Sequence, residues 1–218
     1  MTLTQDLKDF RDRFLANADA DTVEVMNRAT TDLAESGIAD RTLKPGDKAI
    51  DFTLPNATGD RVNLQQLLNK GAVVVSFYRG GWCPYCNLEL RALQQYLPQI
   101  KALGANLIAI SPETPDNSLS TAEKNELTFE VLSDVGNKVA REYGLVFALP
   151  ETLRGVYEGF NIDLPAHNGD RTFELPIPAT YVIAADGTVL YSFADPDYTK
   201  RLDPEEIINA LQNSTIAA

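Results

Sequence analysis

Two cysteines are the feature of this sequence that most constrains its fold and its chemistry. Cys83 and Cys86 are the only cysteines among 218 residues, and they are spaced CxxC directly after the apolar segment 72–78. Pro84 suits the first position of a helix, because it has no N–H group to leave unpaired there. The segment therefore predicts a buried strand, a short loop and a helix that begins at the cysteines.

The start of a helix favours the ionised form of a thiol, because free N–H groups and the positive end of the helix dipole stabilise a thiolate. This environment can lower a thiol pKa from about 8.5 to about 3.5–7.5. Arg79 is the only cationic side chain between Lys70 and Arg91, and we expect it to assist ionisation or to orient a substrate oxygen. Redox chemistry is thus favoured over a pair of structural cysteines. A zinc site is disfavoured, since it needs three or four ligands and His167 is the only histidine.

The composition argues against several classes of partner. The chain has 19 basic and 31 acidic residues and a net charge of −12, whereas nucleic-acid binding depends on basic side chains that neutralise phosphates. No apolar run reaches the ~18 residues of a membrane span, so we expect no membrane partner. Residues 1–15 are rich in charges where a signal peptide has an apolar core, which predicts a cytoplasmic protein.

Residues 1–40 carry two helical patterns and are predicted to form an N-terminal helical hairpin. In the first pattern the apolar residues follow steps of four, three and four, which places them on one helical face: Leu3, Leu7, Phe10 and Phe14. We expect the apolar faces of the hairpin to dock on the main domain, with a role in forming a homodimer as the alternative interpretation.

Residues 41–218 alternate short apolar runs with clusters of Gly, Pro and Asp, which is typical of an α/β domain with a central sheet flanked by helices. The helix that begins at Pro84 is predicted to continue to about Leu103, with a kink or break at Pro98. Residues 149–170 match no regular pattern and are predicted to be an inserted loop with one short helix.

Five segments between about Lys44 and about Leu211 carry a resemblance to a known family. In chain order they read KPGDKAIDFTLPNATGDRVNL, VVVSFYRGGWCPYCNLE, LIAISPETP, FEVLSDVGNKVAREYGL and PATYVIAADGTVLY. Together they resemble the alkyl hydroperoxide reductase and thiol-specific antioxidant, or peroxiredoxin, family of the thioredoxin-like superfamily, in its CxxC-bearing branch. The resemblance implies a thioredoxin-like fold with a central mixed β-sheet, and a thiol-dependent peroxidase.

The catalytic segment of typical peroxiredoxins reads Pro, three residues, Thr or Ser, two residues, Cys, and then Glu three positions further on. Laid on FYRGGWCPYCNLE, this pattern places the peroxidatic cysteine at Cys86 and the acidic residue at Glu89. Arg79 then stands in the place of Pro, and Cys83 in the place of Thr. The arginine with which the family holds the peroxide is expected just before the strand Thr180–Ala184, where LPIPAT offers no clear counterpart.

The segment WCPYC is also similar to the active sites of thioredoxin and glutaredoxin, in which the first cysteine attacks and the second resolves. That similarity implies Cys83 as the nucleophile, so the attacking sulfur stays open between Cys86, which is preferred, and Cys83. Pro178 resembles the cis-proline that packs against the CxxC motif in this superfamily. Trp82 is expected to cover the disulfide or the helix start, and Tyr85 either to donate a hydrogen bond to substrate or to be exposed.

Three further residues are candidates for the site. Histidine is suited to proton donation near neutral pH, so His167 is a candidate proton donor, although an isolated histidine in a loop is more often solvated. Arg154 and Arg171 flank the same insertion, and they are candidates to replace the missing peroxide-binding arginine.

The resemblance implies that the protein reduces hydrogen peroxide or organic hydroperoxides, with both cysteines cycling between dithiol and disulfide. Thioredoxin or another dithiol would reduce the disulfide, and no organic cofactor is required. A thioredoxin- or glutaredoxin-like disulfide reductase without peroxidase activity is the first alternative. A redox sensor that forms the disulfide without turnover is the second.

Overall fold

The computed structural model describes residues 2–216. Its helices are α1 (Leu3–Asn17), α2 (Ala20–Glu35), α3 (Leu64–Leu68), α4 (Pro84–Ala102), α5 (Pro115–Lys124), α6 (Lys138–Glu142), α7 (Glu151–Gly159), α8 (Leu164–Asn168) and α9 (Pro204–Ile216). Its strands are β1 (Thr53–Pro55), β2 (Arg61–Asn63), β3 (Val73–Phe77), β4 (Asn106–Ser111), β5 (Glu130–Ser133), β6 (Val146–Ala148), β7 (Glu174–Pro176), β8 (Ala179–Ile183) and β9 (Val189–Ala194). Within residues 2–216, no helix is both long enough and apolar enough to cross a membrane.

A five-stranded sheet forms the centre of the protein, with the strand order β5-β4-β3-β8-β9. β3 pairs in parallel with β4, which pairs in parallel with β5, while β8 runs antiparallel to both β3 and β9. β3 and β8 are buried along their whole length, as strands covered on both faces by helices must be. The mixed α/β sheet agrees with the fold class predicted from the sequence.

Helices cover both faces of this sheet. Val74 of β3 lies in a core built with α1, α4 and α9, whereas Val73 and Val75 lie in a second core built with α3 and α6. This alternation follows from the two-residue period of side chains along a strand. The end of β3 is therefore packed on both sides, and the loop that follows it leads directly into α4.

The two N-terminal helices pack against this domain. Leu3 and Leu7 of α1 are buried in the core that they share with α4. Met26 of α2 packs against a smaller core that includes Leu153 and Tyr157 of α7. The docking of the hairpin's apolar faces, which we expected from their spacing, is present in the structure.

The predicted break at Pro98 is absent, because α4 runs as one helix from Pro84 to Ala102. Pro98 lies on the exposed side of the helix. There the carbonyl group that loses its partner N–H can bond to water instead, so the cost of the missing hydrogen bond is small enough for the helix to continue.

The insertion 149–170 is more regular than predicted. It contains two helices, α7 and α8, where one short helix was expected, and the antiparallel pair of β6 and β7 closes its base. Residues of this insertion bury one another in a core of their own: Leu149, Leu153, Tyr157, Leu164 and the neighbouring Leu175. Helices of nine and five residues are too short to repeat an apolar period clearly, which is why the sequence pattern missed them.

Candidate active site

The two cysteines lie where the loop after β3 enters α4. Cys83 is the residue that caps the start of α4, Pro84 occupies the first helical position, and Cys86 lies in the first turn. Both cysteines are free thiols, and their exposed fractions are 1% and 0%. The two thiols are hydrogen-bonded to each other, and we expect such neighbouring sulfurs to be able to form a disulfide.

The pair carries one thiolate, and this thiolate lies on Cys83. Burial opposes the ionisation of Cys83, but the hydrogen bond from the Cys86 thiol, the charges of Arg79 and Arg201 and the N–H group of Cys86 outweigh it and lower the pKa of Cys83 to about 5. Burial, together with the hydrogen bond to that thiolate and its negative charge, raises the pKa of Cys86 well above the ordinary value. At neutral pH, Cys83 is therefore an anion and Cys86 a hydrogen-bond donor beside it.

Arg79 supplies a buried positive charge to this pair. It is 2% exposed, and its guanidinium lies over the rings of Trp82, Tyr157 and Tyr198 at 5.0, 5.6 and 4.4 Å from their centroids. It also donates a hydrogen bond to the hydroxyl of Tyr157. In the part of the chain that the structure describes, no carboxylate forms an ion pair with Arg79, so the Cys83 thiolate is the anion that balances its charge.

A buried ion pair between Arg201 and Glu89 lies beside Cys86. The Nε of Arg201 donates to a carboxylate oxygen of Glu89 at 2.5 Å, and its Nη2 donates to the Sγ of Cys86 at 3.1 Å. The remaining nitrogen donates to the backbone carbonyls of Tyr198 and Lys200, so Arg201 is held in one orientation. Burial raises the pKa of Glu89 to about 7 against the lowering effect of Arg201.

A cavity of about 270 Å³ reaches Cys83, and its lining does not include Cys86. Trp82 and Tyr85 form part of its wall. Tyr85 is buried, packing edge to face against Phe10 at 5.0 Å, and burial raises its pKa to about 12. The expectation of an exposed Tyr85 is therefore wrong, because α1 covers this residue.

Residues 45–192 match the AhpC/TSA family. The chain belongs to that family. Peroxiredoxin Bcp of Escherichia coli is 28% identical to it over 153 residues, which are 70% of this chain and 86% of that protein. The crystal structure of peroxidoxin BcpB from Mycobacterium tuberculosis superposes with a TM-score of 0.62 at 23% identity, covering 78% of this chain and 97% of the other. The reduced 2-Cys peroxiredoxin of Plasmodium vivax superposes with a TM-score of 0.62 at 17% identity, covering 79% and 82%.

These comparisons confirm three predictions from the sequence. The family is the one that the five segments resemble, and the fold is the thioredoxin-like fold of the peroxiredoxin structures. The enzyme class is that of a thiol-dependent peroxidase of the peroxiredoxin type. Helices α1 and α2 lie outside the matched residues.

Arg201 was not predicted from the sequence. The arginine that AhpC/TSA proteins use was expected just before β8, but the structure brings in an arginine from the loop between β9 and α9, 112 residues beyond Glu89. The local sequence DYTKRLDP does not distinguish Arg201 from its exposed neighbour Lys200, because only the tertiary fold decides which of them points inward. Tyr157 and Tyr198, which flank Arg79, were missed for the same reason.

Neither Arg154 nor Arg171 contacts a cysteine in the described part of this AhpC/TSA protein. Arg154 lies over the ring of Phe173 at 4.2 Å and pairs with Glu151, and Arg171 is exposed. The structure therefore does not place Arg154 or Arg171 beside the cysteines, where a replacement for the family's peroxide-binding arginine was expected.

His167 lies beside the loop that precedes Cys83. Its Nδ1 is 3.2 Å from a carboxylate oxygen of Glu113, and its ring centroid is 6.5 Å from that of Trp82. Glu113 is buried and accepts the N–H of Gly81 at 2.9 Å. His167 and Glu113 thus connect the insertion to the loop before Cys83, and neither is among the groups that touch the sulfurs.

The expectation that Pro178 follows a cis peptide bond is wrong, since residues 2–216 contain no cis peptide. The trans form of an X–Pro bond is favoured by about 0.5–1 kcal/mol, and the extended path from β7 into β8 accommodates it. Pro178 lines a second cavity of about 220 Å³ together with Arg79 and Tyr198, so it lies beside the arginine of the site.

Proposed function

We propose that this AhpC/TSA peroxidase attacks hydroperoxides with Cys83 and resolves the product with Cys86. One asymmetry carries the assignment: Cys83 is ionised and lines a cavity, whereas Cys86 does not line that cavity and is a thiol that donates a hydrogen bond to Cys83. The motif comparison prefers Cys86 as the attacking sulfur, because it occupies the family's peroxidatic position. The raised pKa of Cys86 and its absence from the cavity lining support the opposite order.

The first step consumes the hydroperoxide. The Cys83 thiolate attacks the terminal oxygen of ROOH, an S–O bond forms as the O–O bond breaks, and Cys83 becomes a sulfenic acid while RO⁻ leaves. The thiol of Cys86, which is hydrogen bonded beside it, supplies the proton that converts RO⁻ into ROH. Arg79 stabilises the negative charge as it passes from the sulfur to the leaving oxygen.

The second step forms the disulfide. Cys86, now a thiolate that accepts the hydrogen bond from Arg201, attacks the sulfur of the Cys83 sulfenic acid. An S–S bond forms, and hydroxide leaves and takes a proton from solvent. Over both steps, one hydroperoxide and two thiols give one alcohol, one water and one disulfide, so the electrons that reduce the O–O bond come from the two sulfurs.

A dithiol reductant completes the cycle, and we propose thioredoxin for this role. Exchange through a mixed disulfide oxidises its two thiols and returns Cys83 and Cys86 to the reduced form. We place the cycle in the cytoplasm, where such reductants keep thiols reduced. We do not propose a homodimer through the hairpin, because Leu3 and Leu7 of α1 are already buried within the chain.

A disulfide reductase is the second candidate function, because an ionised first cysteine beside a buried second one also suits attack on a disulfide. The match of residues 45–192 to the AhpC/TSA family favours a hydroperoxide over a disulfide as the substrate.

Steady-state hydroperoxide consumption with thioredoxin, thioredoxin reductase and NADPH tests the proposal. We expect turnover by the wild type, none by Cys83→Ser, and a single equivalent consumed by Cys86→Ser. A wild type that forms its disulfide at stoichiometric peroxide but shows no turnover would be a redox sensor. A mixed disulfide with a protein substrate, formed without peroxide and trapped by Cys86→Ser but not by Cys83→Ser, would identify a disulfide reductase.

A further inference from the structure

We propose that Tyr157, on α7 of the insertion, is a positioning residue of the active site: its hydroxyl holds the guanidinium of Arg79 beside the Cys83 sulfur. The proposal rests on the peroxidase function proposed above, and it gives the insertion a part in that function. Tyr157 makes no hydrogen bond with either sulfur in the described part of the chain, so it acts through Arg79.

The two arginines beside the cysteines are held in different ways. Arg201 donates hydrogen bonds to the carboxylate of Glu89, to a sulfur and to two backbone carbonyls, which together fix its orientation. Within residues 2–216, the hydroxyl of Tyr157 is the one group that accepts a hydrogen bond from the Arg79 side chain, and the Nε of Arg79 is buried without a partner. The orientation of the Arg79 guanidinium therefore depends on this one hydrogen bond.

Arg79 acts on Cys83 through its charge, because no hydrogen bond joins the two side chains in the residues that the structure describes. The interaction between two charges weakens as their distance grows, so the guanidinium stabilises the thiolate well only while it stays close to the sulfur. Whatever fixes the position of Arg79 therefore also determines how far it stabilises the reactive form of Cys83.

Open space on two sides of Arg79 makes this restraint necessary. Arg79 lines the cavity of about 270 Å³ that reaches Cys83, and it also lines the second cavity, of about 220 Å³, whose lining does not include Cys83. Tyr157 and Tyr198 line both cavities as well, so these three side chains stand between them. A guanidinium that lost its hydrogen bond would have room to turn into the second cavity, where water can accept from its N–H groups.

The structure holds Tyr157 itself in place. Its side chain is buried and packs against the ring of Trp82 with the centroids 5.6 Å apart, and Leu153 anchors α7 in the core of the insertion. Burial raises the pKa of Tyr157 above the ordinary value, against the lowering effect of Arg79, so the hydroxyl is neutral at physiological pH. Its oxygen is therefore a fixed acceptor for the guanidinium.

The test compares Tyr157→Phe with a matched control, Tyr143→Phe. Tyr143 is also a buried tyrosine, and its hydroxyl donates a hydrogen bond to the backbone carbonyl of Ile50 at 2.9 Å. It lies in the core that does not contain the cysteines. Each variant keeps its ring and loses one buried hydroxyl with its hydrogen bond, so an effect of lost stability is common to both, and only Tyr157→Phe releases Arg79.

The readout is the thiolate of the reduced protein, followed by its ultraviolet absorbance during a pH titration. Tyr157→Phe should raise the midpoint by at least about half a unit but by less than Arg79→Met does, since it displaces the charge without removing it. The acid limb of the kcat/KM profile for hydrogen peroxide should shift by the same amount. Tyr143→Phe should leave the midpoint within about 0.2 units of wild type.

Adding Tyr157→Phe to Arg79→Met shows whether Tyr157 acts through Arg79. We expect no further shift of the midpoint in the double variant, because the charge that Tyr157 positions is already absent. An additive shift, or a Tyr157→Phe midpoint equal to that of wild type, would overturn the positioning role and leave the peroxidase function standing. The titration needs no peroxide, so the expected shifts in a protein that turns over no hydroperoxide would overturn the peroxidase function and leave the positioning of Arg79 standing.

Discussion

Replacing Arg79 by Met should raise the pKa of Cys83 substantially. The substitution removes the positive charge and leaves an unbranched apolar side chain among the rings of Trp82, Tyr157 and Tyr198. An opposite charge within ~4–6 Å lowers the pKa of an acidic group by about 1–3 units, so the pKa of Cys83 should rise from about 5 to about 6–8. At pH 7 the thiolate fraction would then fall from about 99% to between about 90% and about 10%.

The ultraviolet absorbance of the thiolate, followed during a pH titration of the reduced protein, measures this change. The wild type should show one thiolate with its midpoint near pH 5. Arg154→Met is the matched control, because Arg154 packs on Phe173 away from the cysteines, and it should titrate like the wild type. A wild-type midpoint near the ordinary thiol value of ~8.5, or an Arg79→Met midpoint within about half a unit of wild type, would refute Arg79 as the charge that ionises Cys83.

Arg201→Met should destabilise the protein by about 3–5 kcal/mol in urea unfolding, because it leaves Glu89 buried without its partner. Adding Glu89→Gln to this variant should restore most of the lost stability. An Arg201→Met variant within ~1 kcal/mol of wild type would contradict this prediction. The free energy of unfolding of the reduced protein should rise from pH 7 to pH 8, above the titration of Glu89 and below the ordinary thiol pKa, beyond which the raised pKa of Cys86 acts in the opposite direction. The thiolate of Cys83 stabilises the folded state fully above the unfolded thiol pKa, and this contribution is lost as the pH falls towards about 5. Cys83→Ser should abolish the slope, and a wild type without a slope would show that Cys83 is not ionised. Leu7→Ala should lower the free energy of unfolding by about 2–5 kcal/mol, because Leu7 is buried in the core that α1 shares with α4. Leu15→Ala, at an exposed position of the same helix, should change it by less than ~0.5 kcal/mol. Equal losses in the two variants would argue against the docked hairpin.

The local part of the site could be predicted from the sequence, because its signals are local. A proline at the first position of a helix and an unbroken apolar run before it mark the strand, the loop and the helix that carry Cys83 and Cys86. Arg79 was predictable as well, since no other cation lies near the motif. The family followed from five segments spread over the domain, and the match to residues 45–192 confirms it.

The long-range part of the site could not be predicted, because it depends on which distant side chains the fold brings together. Arg201 reaches the sulfur of Cys86 across 115 positions of the chain, and Tyr157 reaches Arg79 from a helix that showed no pattern of its own. Which sulfur is ionised depends on burial, on the direction of one hydrogen bond and on these charges. The motif comparison contains none of this information and prefers Cys86, whereas the three-dimensional environment favours Cys83.

The order of the two sulfurs is tested most directly by locating the sulfenic acid. Reduced Cys83→Ser and Cys86→Ser are each treated with one equivalent of hydrogen peroxide in the presence of dimedone, which reacts with sulfenic acids, and the adduct is assigned by peptide mass spectrometry. We predict an adduct on Cys83 in the Cys86→Ser variant and none on Cys86 in the Cys83→Ser variant. An adduct on Cys86, with none on Cys83, would contradict the mechanism and return the attacking role to Cys86.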